Sequence, residues 1–177
     1  MPDMQRTWIS FGKAKTILAR MIVESSHTPE VLDLAADLAR DCVMLDKAAQ
    51  AQALWAYVKS NIYYLEDPYT DDHFQTPQVT LKRQAGDCDD QVILLGSLLR
   101  SIGFQVRLVF VFDNPPTGAP AEFPAHVYLE ANVGRGPGEE IWAAMETIPV
   151  PSPGGGFYYP TFAQQEPGGF RERVRVE

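Results

Sequence analysis

Apolar residues recur at helical spacing through the first half of the chain and at strand spacing through much of the second. Val31, Leu34, Leu38 and Cys42 share one face after Thr28-Pro29, a cap followed by proline at the first helical position. Ala51, Leu54, Trp55, Val58 and Ile62 mark a second amphipathic helix, expected to end before Asp67-Pro68 because the residue preceding proline avoids the helical region. A less sharply patterned helix precedes both, at residues 11–24. Asp87-Cys88-Asp89-Asp90 opens a further helix, with Val92, Leu95, Leu99 and Ile102 on one face and Gly103 as its C-cap.

From Gln105 to Phe112 the β-branched and aromatic content predicts a buried strand, ended by Asp113-Asn114-Pro115-Pro116. His126 to Val133, a Gly-rich turn at 134–138 and Glu140 to Ile148 read as a hairpin, and Phe170 to Val176 alternates like an edge strand. Of 27 prolines and glycines, 19 fall in residues 113–177, so the chain has a helical half and a punctuated half. The expected fold is α+β and a single domain over 1–177. N-terminal helices occupy 1–49, a core over 50–150 packs a central helix on an antiparallel sheet, and a Pro/Gly-rich extension covers 149–177.

Composition narrows the function classes. The 177-residue chain carries 15 Lys+Arg against 23 Asp+Glu, a net charge of −8, which argues against nucleic acid or an anionic membrane as partner. Two cysteines, Cys42 and Cys88, are too few for a disulfide framework, and no paired spacing marks a structural zinc site. The N-terminal stretch has no signal-like or membrane-spanning apolar run, so a cytoplasmic location is expected. His73, beside Asp71 and Asp72, matches no EF-hand or zinc signature and reads as a solvated loop histidine. His27 reads as surface and Cys42 as an inert core thiol, and no metal or other cofactor is expected.

Cys88 is different because a thiol at a helix start sits where unpaired N–H groups and the helix dipole favour an anion. Its three neighbouring aspartates oppose that, and a nearby imidazolium would restore the balance. His126 supplies the candidate: it enters a strand 38 residues later, on one face with Tyr128 and Glu130, while Glu146 shares a face with Trp142 and Ala144. Brought together by the hairpin, Glu146 could hold the far nitrogen of the imidazole in a carboxylate–imidazole–thiol relay suited to attack on an acyl carbon.

Tyr63-Tyr64 through Pro77, Leu81, Gly86-Asp87-Cys88-Asp89-Asp90, the leucine-rich helix to Gly103, His126-Val127-Tyr128 and Trp142 to Glu146 together resemble the transglutaminase-like superfamily, with its papain-like cysteine-peptidase core. The resemblance implies a nucleophile at Cys88, a base at His126 and a third polar residue on the following strand. The family pattern there is like Trp-x-x-Leu-Asp, whereas this chain has Trp142-Ala143-Ala144-Met145-Glu146, a carboxylate one methylene longer. The Cys88 N–H is the natural first oxyanion donor. No glutamine stands six residues before the cysteine, so Gln75, Gln78, Gln84 and Tyr64 are open as the second donor, with Gln84 carried forward.

The expected function is a cysteine peptidase or amidase acting on a protein or peptide substrate, as the shorter bacterial and phage members of the family imply. Amine cross-linking by a transglutaminase, or a non-catalytic binding or assembly module, are the alternatives. Seven acidic residues fall within 66–90, and they could recruit a cationic substrate or blunt the thiol.

Overall fold

The protein's computed structural model describes residues 10–43, 46–66, 73–112, 124–136, 138–151, 157–158, 162 and 170–177. Three helices come first, α1 (Phe11–Ser25), α2 (Pro29–Ala39) and α3 (Lys47–Asn61), followed by a two-residue strand β1 (Tyr63–Tyr64). A short helix α4 (Pro77–Arg83) and a second short strand β2 (Ala85–Gly86) lead into α5 (Cys88–Ser101). The remaining strands are β3 (Val106–Phe112), β4 (His126–Asn132), β5 (Trp142–Met145), β6 (Val150–Pro151), β7 (Phe157–Tyr158) and β8 (Phe170–Arg175).

Local chemistry explains most of the boundaries. Pro29 and Pro77 occupy first-turn positions of α2 and α4, where a missing N–H costs nothing. The Asp46 side chain accepts the Ala49 N–H to cap α3. Helix α4 is an addition to the predicted set: a seven-residue helix is too short to show a full apolar stripe, and Gln84 ends it in the left-handed region at φ 52°. Helix α2 stops at Ala39, so Cys42 lies beyond it and is half-buried rather than on the apolar face expected for it. Similarly, α3 ends at Asn61, well short of Asp67-Pro68, because Ile62 turns extended and carries the chain into β1. His27 and His73 are both exposed.

The four-stranded sheet has the order β5-β4-β3-β8, all neighbours antiparallel, so the C-terminal strand closes the β3 edge as expected of it. Val106, Leu108 and Phe110 of β3, with Val127, Leu129, Ala131, Ala143 and Met145, form one apolar face. Helix α5 lies against that face and is buried continuously from Asp90 to Leu99, with α1, α2 and α3 on its other side. Leu94, Leu95, Leu98 and Leu99 thus lose their water on all sides, worth about 1.5–3 kcal/mol each. A side chain at Gly96 would lie 2.9 Å from Ile22 Cδ1, so glycine sets how closely α1 approaches α5.

The opposite face of the sheet is mixed. Val109, Tyr128 and Ala144 make a small second cluster, next to the fully buried Glu130. Arg107 Nε reaches Glu130 at 2.5 Å and Arg173 binds both of its carboxylate oxygens, at 3.2 and 3.3 Å, so two guanidiniums answer one buried charge. Among the described residues no helix is long and apolar enough to cross a membrane. Residues 67–72 of the acidic stretch, the turn after Phe112 and about half of the 149–177 extension lie outside the described residues.

Candidate active site

Helix α5 starts with a closed set of local hydrogen bonds. The Asp87 carboxylate accepts the N–H groups of Asp89 at 3.0 Å and Asp90 at 3.2 Å, while Asp90 reaches back to the Asp87 N–H at 3.4 Å, a reciprocal capping box. Gln91 N–H bonds to the Asp87 carbonyl. Among the first-turn N–H groups, this leaves that of Cys88 with no acceptor among the described residues, pointing from a helix N-terminus.

Asp90 is wholly buried and also accepts the backbone N–H of Gln75 at 2.7 Å and its side-chain amide, which ties the segment before α4 to the start of α5. Gly86 makes room for this carboxylate, since a Cβ there would come within 2.6 Å of Asp90 Cβ and 2.8 Å of its Oδ2.

The second group of residues comes from the sheet. His126 begins β4, and Glu146 follows the last residue of β5. His126 Nε2 lies 2.5 Å from Glu146 Oε2, and the second carboxylate oxygen accepts the Ile148 N–H at 3.0 Å. Both side chains are nearly buried, so the pair is little screened by water. The imidazole stacks on Tyr128 with ring centroids 6.3 Å apart.

The two groups meet at Val127. Residues 126, 128, 130 and 132 pair toward β3, which turns the Val127 N–H to the other side, and β5 has ended there, since Met145 pairs with Leu129. The Val127 N–H instead faces the Cys88 sulfur and favours its thiolate. The nucleophile candidate therefore touches the strand one residue from His126.

Electrostatics works against thiolate formation in the free protein. Desolvation pushes the Cys88 thiol well above its ordinary range, Asp89 and Asp87 push it further, the Val127 N–H opposes them, and Glu146 adds a smaller upward push. One atom each of Asp87, Cys88 and Asp89 lie within 4.8 Å of one another, which accounts for the two aspartate effects. Tyr64 is raised as well, by desolvation first and then by Cys88, Glu66 and Asp87, and its hydroxyl bonds to Glu66.

Of the proposed second oxyanion donors, Gln75 has its amide committed to Asp90. Gln84 is an exposed helix C-cap whose carbonyl takes the Tyr63 N–H, and Gln78 is half-buried on α4. The Tyr64 hydroxyl, near enough to Cys88 for the sulfur to raise its pKa, is bonded to Glu66.

Sequence reasoning missed Trp55. From α3 its indole N–H donates to the Glu146 backbone carbonyl at 2.6 Å, across 91 residues, and Lys59 lies over its ring at 4.6 Å. Burial lowers the Lys59 pKa, and Glu146 opposes that shift. Trp55 fitted the apolar stripe of α3, so nothing in its spacing distinguished a hydrogen-bonding indole from a core filler.

The family model described as "Transglutaminase-like superfamily" matches residues 35–147, a span that holds Cys88, His126 and Glu146. No curated protein sequence matches the chain. Among solved structures, that of a candidate protease from Parabacteroides distasonis is similar with a TM-score of 0.53 at 15% identity, covering 81% of this chain and 32% of that one. That of a candidate cysteine protease from Cytophaga hutchinsonii has a TM-score of 0.49 at 15% identity, covering 71% and 41%. The chain thus spans less than half the length of either structure. The first likeness shows a shared fold.

Proposed function

Since the chain belongs to the transglutaminase-like superfamily, we propose that it is a thiol hydrolase that cleaves a peptide or isopeptide amide through an acyl-enzyme on Cys88. The observation that carries this reading is the His126–Glu146 contact of 2.5 Å, held beside a cysteine whose sulfur meets the neighbouring Val127 N–H.

Each residue then has one task. Glu146 fixes the imidazole by Nε2 and stabilises the imidazolium, leaving Nδ1 to take the Cys88 proton as the sulfur attacks the acyl carbon. The Cys88 N–H, left over by the capping box, faces the oxyanion that develops. The imidazolium returns its proton to the leaving amine, and water, deprotonated by His126, releases the acid. Because aspartates and desolvation raise the thiol, the ion pair forms as the proton moves rather than beforehand.

Treatment of the protein with iodoacetamide, followed by peptide mapping, tests the site. Substrate-like peptides should protect Cys88, and not Cys42, from alkylation, and Cys88→Ala should abolish release of amines from a pool of peptide amides. Peptides that protect both cysteines equally or neither, or full activity in Cys88→Ala, would overturn the assignment. Incorporation of a labelled primary amine into a glutamine peptide, faster than hydrolysis, would assign transamidation to the same three residues.

A further inference from the structure

Strand β1 has one used edge. Tyr63 N–H donates to the Gln84 carbonyl at 2.8 Å and Leu65 N–H to the Gly86 carbonyl at 3.1 Å, in parallel register with β2. The residue between them turns its own N–H and C=O the opposite way. On that outer edge of Tyr64 no described residue takes either group, and β1-β2 is a sheet of only two strands. Tyr63, Tyr64 and Leu65 are 76%, 45% and 54% exposed, apolar residues that a free-standing surface strand has no packing reason to carry. An unpaired, exposed edge is a template for another extended chain.

Position and charge select the occupant. Tyr64 shares its charge environment with Cys88, so the edge borders the nucleophile rather than a remote surface. Glu66 accepts the Tyr64 hydroxyl, Asp87 and Asp89 flank the sulfur, and between Lys59 and Lys82 the sequence has no lysine or arginine. A chain laid along this edge therefore meets carboxylates and no lysine or arginine of the same stretch.

We propose that the outer edge of β1 is the substrate-docking strand: an extended polypeptide exchanges main-chain hydrogen bonds with Tyr64 and carries a lysine or arginine beside Glu66. This names a substrate class for the hydrolase reading and rests on it for the bond that is cut. The main-chain bonds hold the peptide in an extended form, and the acidic surround selects its side chains.

The test separates docking from turnover by using the Cys88→Ala chain and fluorescein-labelled hexapeptides of alternating lysine and valine, read by anisotropy. The lysine peptide is expected to bind more tightly than its glutamate counterpart, with the advantage shrinking at high salt. N-methylation of single peptide amides should weaken binding by about ten-fold at the amide facing Tyr64 and little at its neighbours, the cost of one lost backbone hydrogen bond. Glu66→Gln should reduce the preference for lysine while leaving the N-methyl pattern in place. Indifference to charge, or an equal effect of N-methylation at every position, overturns the proposal. Hydrolysis by the wild-type chain together with either of those results removes the docking strand alone. Docking with the expected pattern, in a protein whose wild type cleaves no amide, supports the strand and removes the hydrolase reading.

Discussion

The two halves of the site are held by different kinds of interaction. The helix half, residues 86–91, is held mainly by short-range bonds: Asp87, Asp90 and the backbone of the first turn satisfy one another over at most four residues, with Gln75, 15 residues before it, as a longer-range partner of Asp90. The sheet half joins residues 20 apart, His126 and Glu146, and is steadied by Trp55 from 91 residues away. A locally closed half can preserve its geometry when the rest of the protein relaxes. The sheet half depends on strand register, on where β5 ends and on how α3 docks, so it is the half in which small packing changes should reach the chemistry.

The largest expected effect lies in that sheet half. Glu146→Gln keeps an acceptor for the Ile148 N–H and the carbonyl that Trp55 holds, but removes the charge facing the imidazole. Turnover on peptide amides should fall about 10²–10⁴-fold with the melting temperature little changed. Unchanged turnover would take Glu146 out of the site.

Asp90→Ala probes the helix half through stability. It strands the Gln75 and Asp87 N–H groups and opens the capping box, so urea unfolding should show a loss of about 2–4 kcal/mol. A loss under about 0.5 kcal/mol would mean that the helix start is held from elsewhere.

Trp55→Phe sharpens the contrast further, because it keeps an aromatic ring and removes only the indole donor to Glu146. About 1 kcal/mol of stability and a several-fold drop in turnover are expected, while the rate of Cys88 alkylation stays the same. An equal drop in alkylation would show that the two halves are not separable.

The smallest effect concerns the thiol. With its pKa raised, Cys88 is protonated at neutral pH, so its alkylation rate should climb as pH rises and the thiolate fraction grows. Asp89→Asn removes the largest charge opposing the thiolate, lowers the pKa and should speed alkylation at pH 7 by about three- to ten-fold. A pH-independent rate would contradict the raised thiol.

The residues differ in how legible they were. The opening of α5 was read correctly because an N-cap, a capping partner and an apolar face lie within one short window. His126 and Glu146 were paired by strand alternation, and the antiparallel sheet brings them together with the longer glutamate spanning the gap. Three things escaped: α4, too short for a periodic signal; β1, β2, β6 and β7, which have two residues each; and the Trp55 indole, disguised by its place on an apolar stripe. For Cys42 the helical spacing continued past the point where α2 stops, so periodicity alone overstated the helix.

By itself, the sequence determined the α+β class, the helix that presents Cys88 and the acidic character of its surroundings, because periodicity, caps and charge act over one or two turns of chain. Tertiary structure decided that Cys88 meets the Val127 N–H, that Trp55 anchors Glu146 and that, among the described residues, nothing pairs with the outer edge of Tyr64. Those outcomes depend on where strands end and which faces pack, and a chain fixes them only when distant segments have satisfied their hydrogen bonds and buried their apolar faces against one another.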